Sequence, residues 1–431
     1  MVKELIKKII PSFLLDWYHF LLAFLAAVLY GNPSKKITVI GVTGTKGKTT
    51  TCNIIAQILN LAGFKTGMAS TVNFRIGNKE WTNKTKQTML GRLKLQKLLA
   101  RMVREGCKYA VIETSSEGII QYRHRFIDYK VAVFTNLSPE HIERHGSFEN
   151  YRAAKVKLFE KVSQKKEGVG IYNLDDKNVD YFLKYPIKNE FGFTKEASEK
   201  LENRIQIKDI ELSANKTKFK IDNIDFESKI IGEFNVYNLA CAICTALSQG
   251  ITLEKIKEVL PKVNPAPGRL EVIDEGQNFT IIVDYSYEPT SLENALKAVK
   301  VFNPNRVIVM FGSAAGGRDR WRRPVMGEVA NKYADLIIVT TDDPYDENPE
   351  KIIDDILAGV LKDKRRNLNE NIFKVVDRRD AISKALNLAK ENDLVLFAGK
   401  GGEVWMNVAG GKKIPWDDRQ VVREEFQKLN L

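Results

Sequence analysis

The sequence predicts an α/β protein with two domains, each built on a mostly parallel sheet, and an apolar helix in front of them. Three observations carry this. Short β-branched runs end in glycine or small polar residues and lead into helically spaced segments, as "KKITVIGVTG" leads into "KTTTCNIIAQILNLAGF". The same alternation begins afresh after "KVNPAPGRLEV", whose two prolines and glycine make it the best linker in the chain. At 431 residues the chain is too long for one ordinary core. The expected boundaries are 1–36 for the apolar segment, 37–264 for the central domain and 265–431 for the C-terminal one.

Residues 10–31, "IPSFLLDWYHFLLAFLAAVLYG", are strongly apolar and lie between Lys3, Lys7 and Lys8 on one side and Lys35 and Lys36 on the other. No small-residue cleavage site follows, so a secretory signal is not expected. From Phe13 to Tyr30 is only about 18 residues, the lower limit for a membrane span, and Asp16 and His19 interrupt it. An interfacial anchor with basic flanks is the preferred reading, and a helix buried against protein is the alternative.

The first strand, residues 37–43, is followed by a glycine turn and a helix with Gly63 at its C-terminal end. "YAVIETSSEG" and "VAVFTNLS" read as buried strands whose polar residues fall at their C-terminal ends, where open α/β sheets bind ligands. That places Glu113 and Asn136 at a site. Residues 205–231 alternate polar and apolar and predict a small antiparallel addition, and "GEFNVYNLACAICTAL" returns to helix. Beyond the linker, "FTIIVDYS", "RVIVMFGS", "DLIIVTTDD" and "DLVLFAGKGG" are strands separated by helices, a doubly wound, Rossmann-like pattern.

The charge balance is +13, from 67 Lys and Arg against 54 Asp and Glu. The basic residues are spread along the chain with no recognised nucleic-acid module, so nucleic acid is not an expected partner. Cys241 and Cys244 form a C-x-x-C without a second pair, and Cys52 and Cys107 stand alone. Packed thiols in a reducing cytoplasm are expected, not zinc.

The chemistry concentrates in "GVTGTKGKTTT", residues 41–51. The G-x-x-x-x-G-K-[ST] template fails at Val42, yet Gly44 and Gly47 flank Thr45 and Lys46, and Lys48, Thr49 and Thr50 open a helix. Lys48 can neutralise terminal phosphates, the Thr49 hydroxyl can ligate Mg²⁺, and the helix N-terminus adds its dipole. This is a P-loop of ATPase type if the turn begins at Gly44.

The compact form T-G-T-x-G-K-T-T after a strand resembles the Mur ligase family, and within it the MurE type, from about residue 37 onward. The resemblance implies an ATP- and Mg²⁺-dependent amide ligase that extends the stem peptide of a cell-wall precursor through an acyl phosphate. It also implies specific residues. "IETSSEG" places Glu113, and "TNLSPEHIERHG" places His141, as Mg²⁺ ligands. Lys155 in "AAK" matches a lysine that family members carbamylate. "GEFNVYNLACA" supplies Asn235 and Asn238 near the adenine, "PGRLEV" supplies Arg269, and "VDYSYEP" supplies Asp284 for the ribose.

Ser115, Gln121 and Arg123 match positions that hold the peptide-bearing substrate, with Glu117 where relatives usually have histidine. In the C-terminal domain Arg318 would meet the incoming amino acid's carboxylate. Asp342, Asp343 and Tyr345 fall where diaminopimelate-adding relatives read D-N-P-R, so the arginine is replaced by tyrosine. Gly399 and Glu403 match the part contacting the side-chain end, and Glu403 could hold a distal amine. Lysine and meso-diaminopimelate are both expected amino acids, and Tyr287 is a further departure from histidine.

Family members of this type usually carry a uridine-diphosphate-binding domain before the loop, where this sequence has the apolar segment. The alternatives are a MurT-like enzyme amidating a lipid-linked precursor, although its four-cysteine insert is missing, and a non-catalytic nucleotide-binding scaffold. The expected location is cytoplasmic and peripheral on the inner face of the membrane. The expected partners are small-molecule substrates and, through residues 10–31, a membrane surface.

Overall fold

The computed structural model describes residues 12–85, 87–140, 142–196, 198–363 and 366–429. The chain divides into two compact units. The first comprises Met1–Glu211, Thr217–Ile230 and Asn235–Asn264, and the second Leu212–Lys216, Ile231–Phe234 and Pro265–Leu431.

The first unit is organised around strand β1 (Thr38–Thr43), which pairs in parallel with both β5 (Tyr109–Glu113) and β6 (Tyr129–Phe134). One edge continues through β2 (Thr66–Ala69), β3 (Asn73–Ile76) and β4 (Lys79–Thr82). The other runs through β7 (Val169–Asn173), β8 (Asn189–Thr194), β9 (Arg204–Leu212), β10 (Thr217–Ile221) and β11 (Ile224–Ser228). The order is β11-β10-β9-β8-β7-β6-β1-β5-β2-β3-β4. The alternating segment at 205–231 is added at the edge of this same sheet: β9 pairs in parallel with β8 and lies next to β10, and β10 and β11 form an antiparallel hairpin.

Helices named here are α1 (Ser12–Leu29), α2 (Lys48–Leu61), α3 (Arg92–Arg104), α4 (Phe148–Ser163) and α5 (Glu233–Ser248). Both faces of the sheet are covered, as a parallel sheet requires. Along β1 the side chains alternate: Ile40 and Val42 join one core with Cys52 of α2 and Cys241 of α5, while Val39 joins another with Leu99 of α3 and Phe159 of α4. All four cysteines are buried free thiols. Gly63, at φ 98°, sits just past α2, in the left-handed conformation that ends a helix.

The second unit holds β12 (Glu271–Ile273), β13 (Thr280–Asp284), β14 (Val307–Phe311), β15 (Leu336–Val339), β16 (Ile372–Lys374) and β17 (Leu394–Ala398), in the order β12-β13-β17-β14-β15-β16. All pairings are parallel except β12 with β13. The four strands read from the sequence beyond the linker are β13, β14, β15 and β17. A two-stranded hairpin, β18 (Trp405–Val408) with β19 (Lys412–Pro415), follows.

Candidate active site

Four residues, 44–47, separate the end of β1 from the start of α2, and the backbone between them is shaped by two glycines. Val42 is the buried penultimate residue of β1, so the template position it occupies lies inside the strand and needs no glycine. Gly44 takes up the turn at φ 149°, and a Cβ there would sit 2.0 Å from Thr135 Oγ1. Gly47, at φ 79°, caps α2, and its Cβ would sit 2.2 Å from Asn238 Oδ1. Both positions combine a backbone conformation that favours glycine with contacts too close for any side chain.

The loop is held from below by the turn after β6. Asn136 O accepts from Thr45 N at 2.8 Å, and Asn136 Oδ1 accepts from Lys46 N at 2.9 Å. Thr135 Oγ1 donates to Lys46 O at 2.7 Å, and Ser138 N donates to Thr45 Oγ1 at 3.0 Å. Lys46 Nζ reaches Glu140 at 3.2 Å. From α5, Asn238 Oδ1 accepts from Thr51 Oγ1 at 3.2 Å while Asn238 Nδ2 donates to Asn235 Oδ1 at 2.8 Å. Asn136, Asn235 and Asn238 are thus brought to the loop, together with Thr135, Ser138 and Tyr151, which the sequence did not single out. Thr50 is buried in the first turn of α2.

Two lysines converge on one atom. Lys48 Nζ donates to Gly44 O at 3.0 Å and to Thr45 O at 2.8 Å, and Lys155 Nζ donates to the same Gly44 O at 2.6 Å. Lys155 lies on the inner face of α4, 1% exposed. Burial pushes its ammonium well below the ordinary lysine range, and the neighbouring Lys48 cation pushes in the same direction. Its Nζ also stands 4.6 Å above the Tyr151 ring. His145 packs edge-on against Tyr151, and burial, then Lys155, lowers its pKa.

Glu113, at the end of β5, is buried with Oε2 accepting from Thr49 Oγ1 at 3.0 Å and from Thr71 N at 2.7 Å. A hydroxyl and a carboxylate oxygen at the start of a phosphate-loop helix suit Mg²⁺, which takes one or two protein oxygens and keeps water and phosphate as its other ligands. Among the described residues no group of three or more His, Cys, Asp or Glu converges as a self-sufficient metal cage. His141 lies outside the described residues.

Ser115 caps the short helix Ser116–Ile120, accepting from Gly118 N at 3.1 Å. Gln121 Oε1 accepts from Arg123 Nη2 at 2.6 Å, and Arg123 also donates to Met89 O. Burial lowers the Arg123 pKa. Glu117 pairs with Arg144.

In the second unit Asp284, at the end of β13, is buried, accepts from Leu270 N at 2.8 Å and binds the Ser286 hydroxyl; burial raises its pKa. Arg269 stacks on Tyr285 at 4.4 Å, and its buried Nε has no hydrogen-bond partner among the described residues. Arg318 lies over the Tyr287 ring at 5.4 Å. Gly399, at φ 115°, would place a Cβ 2.8 Å from Asp342 Oδ2.

The centre of this region is a residue the sequence reading passed over, although "AGKGGE" contains it. Lys400, 0% exposed, donates to Asp343 Oδ1 and to Glu403 Oε2, both at 2.8 Å, with Asp342 Oδ1 at 3.6 Å. Asp343 also accepts from Asn407 N and Nδ2, each at 2.7 Å. Glu403 Oε1 accepts from Tyr285 at 3.2 Å. Glu403 was expected as a holder of a distal amine; the amine it holds in this structure is that of Lys400. Tyr345, at φ 50°, has its ring where a Gly316 Cβ would fall, 2.6 Å away.

Comparison with known proteins adds a family and a likeness over most of the chain. Residues 42–246 match the Mur ligase middle domain, and residues 268–401 match the domain described as "Mur ligase, glutamate ligase domain". The chain is 38% identical over 415 residues to the UDP-N-acetylmuramoyl-L-alanyl-D-glutamate–2,6-diaminopimelate ligase of Geobacillus kaustophilus, covering 93% of this chain and 81% of that protein. It is 39% identical over 395 residues to the ligase of the same name from Aquifex aeolicus, covering 92% and 78%. A solved structure of a ligase with that name aligns with a TM-score of 0.63 at 31% identity, over 92% of this chain and 79% of the other. MurF from Thermotoga maritima in complex with ADP shares the fold, with a TM-score of 0.67 at 21% identity over 94% and 83%.

Proposed function

From the premise that this chain belongs to the Mur ligase family, we propose that it joins a diamino acid, lysine or meso-diaminopimelate, to the stem peptide of a cell-wall precursor. The chain is an ATP-dependent carbon–nitrogen ligase. In the proposed reaction the acceptor carboxylate takes the γ-phosphoryl group of ATP to become an acyl phosphate. The amino group then attacks that carbonyl, and phosphate leaves as the amide forms. Activation is needed because a carboxylate is already anionic and a poor electrophile.

The observation that carries this reading is the meeting of Lys48 and Lys155 on the Gly44 carbonyl. Lys48 would turn from the loop carbonyls to the terminal phosphates, with the α2 N-terminus behind it. Thr49 and Glu113 would hold Mg²⁺, with His141 as the family's further ligand; when bound, the ion neutralises phosphate charge. Lys155 would act as a carbamate. The neutral amine, which burial favours, is the form that adds carbon dioxide, and the product loses a proton to become an anion. A buried ammonium beside Lys48 would be repelled, whereas a buried carbamate would be attracted. Asn235 and Asn238 would lie beside the adenine, and Arg269 and Asp284 are proposed as further nucleotide-binding residues.

For the amino acid, Arg318 supplies a guanidinium suited to the α-carboxylate. Tyr345 stands where diaminopimelate-adding relatives have arginine, so recognition of a distal carboxylate would fall to other groups. Ser115, Gln121 and Arg123 would hold the acceptor peptide. The test is a mass-spectrometric screen of lysine and meso-diaminopimelate, with ATP, against muramyl-dipeptide precursor in uridine-diphosphate-linked and lipid-linked forms. One adduct should form and should require ATP. ATP turnover that never depends on amino acid or stem peptide would remove the ligase reading.

A further inference from the structure

Helix α1 turns its small residues inward and its large ones outward. Ala23, Ala26 and Ala27 are buried, and α1 packs against α3. On the opposite side Trp17, Leu21, Phe24, Leu25, Val28 and Leu29 are all exposed, Leu29 to 70%. At 3.6 residues per turn these six fall within an arc of about 140°. The only acidic residue of the helix, Asp16, falls outside that arc, towards the alanine side. An amphipathic helix of a globular protein does the reverse, burying its large apolar residues and exposing polar ones. An exposed apolar face of this size needs an occupant.

Charge selects among occupants. Lys35 and Lys36 follow α1 and are exposed, Lys94 and Lys97 are exposed on α3, and Lys3, Lys7 and Lys8 precede the helix in sequence. The chain carries +13 overall, so a second copy would bring like charge to the same face. An anionic surface complements it. Trp17, 69% exposed, and Tyr18 add amphipathic rings of the kind that favour the headgroup layer. Among the described residues no helix is long and apolar enough to cross a membrane. A helix of this composition has its apolar stripe along its length, which suits lying in the interface plane.

We propose that the outer face of α1 docks the protein on an anionic lipid bilayer, with the helix in the plane of the headgroups. The inference stands on α1 alone and does not require the ligase reading. It is tested by co-sedimentation of the full chain with phosphatidylcholine vesicles containing about one-third phosphatidylglycerol, against phosphatidylcholine alone. Binding should be at least about tenfold stronger to the anionic vesicles, and should weaken as salt is raised. Leu21→Glu with Leu25→Glu should lower it at least about tenfold while leaving the circular dichroism spectrum and ATP turnover unchanged. In the otherwise intact protein, brominated lipid should quench tryptophan fluorescence, and Trp17→Phe should abolish that quenching. Failure to bind anionic vesicles would overturn the proposal, as would binding indifferent to the double substitution. A lipid-free dimer that the double substitution converts to monomer would assign the face to a second copy instead.

Discussion

Lys155 and Lys400 are both buried, one in each unit, at 1% and 0% exposure, yet their surroundings shift their pKa values in opposite directions. Lys155 meets a neutral carbonyl and a second cation, Lys48, and its pKa falls. Lys400 meets Asp342, Asp343 and Glu403, and although burial opposes the charge, those carboxylates raise its pKa. Burial raises the stakes in each case, but the partner decides the sign. The amine whose charge its surroundings disfavour is the better nucleophile of the two. The amine with three is a tether that holds the ends of β15 and β17 to one another. Chemistry and architecture thus use the same residue type and differ only in what stands within a few ångströms of the nitrogen.

The largest effects expected are on turnover. Lys48→Ala and Lys155→Ala should each lower ADP release by at least about 10²-fold. Only Lys155→Ala should recover in part with added short carboxylates, which can fill the space of the carbamate. No recovery would count against a carbamate. On stability the order reverses. Lys400→Met leaves three carboxylates facing one another and should cost about 3–5 kcal/mol in urea unfolding. Lys155→Met should stay within about 1 kcal/mol, because it removes a charge that the fold already disfavours. Equal costs at the two sites would break the comparison.

Gly44→Ala sharpens the same site from the backbone side. The φ of 149° and the contact with Thr135 Oγ1 predict a strained loop, at about 1–3 kcal/mol, and weaker nucleotide binding by calorimetry.

The pH dependences should also diverge. In carbonate-free buffer, between the depressed folded pKa of Lys155 and the ordinary lysine value near ~10.4, the unfolded chain binds the extra proton. Stability relative to Lys155→Met should therefore rise with pH across that window. For Lys400 the folded pKa is raised, so its contribution is fully present below the ordinary value and is lost only as pH climbs through the folded one. Comparing the pH profiles of the two methionine variants with that of the unaltered protein checks both signs. The smallest effect expected is on selectivity: Tyr345→Arg should shift the preference for diaminopimelate over lysine by about tenfold, or about 1.4 kcal/mol, in a competition assay.

Much of the fold was legible because the two periodicities are clean. β1, β5, β6, β13, β14, β15 and β17 are short buried runs with polar residues at their C-terminal ends, and α2 opens at the residue where the loop ends. Glu113 and Asn136 could be placed at a site for the same reason. The edge strands were harder. Residues 205–231 alternate like an independent hairpin, and nothing local says that β9 will pair with β8 and extend an existing sheet. Lys400 was illegible in a different way. Its neighbours in sequence are glycines, while Asp343 stands 57 positions away, and no local pattern announces a pairing over that distance. The bonds of Glu403 to Lys400 and Tyr285 were illegible too, because Tyr285 stands 118 positions away.

The loop between β1 and α2 holds its own cation. Lys48 donates to two loop carbonyls, one of them the Gly44 oxygen it shares with Lys155. An arriving anion must therefore compete with the loop itself for that ammonium. A small, singly held anion offers one interaction against two and loses the contest. A polyphosphate that also takes the backbone N–H groups at the α2 N-terminus offers several at once and wins. The intramolecular bonds would then act as a threshold that sets the loop's discrimination between a triphosphate and the inorganic phosphate surrounding it.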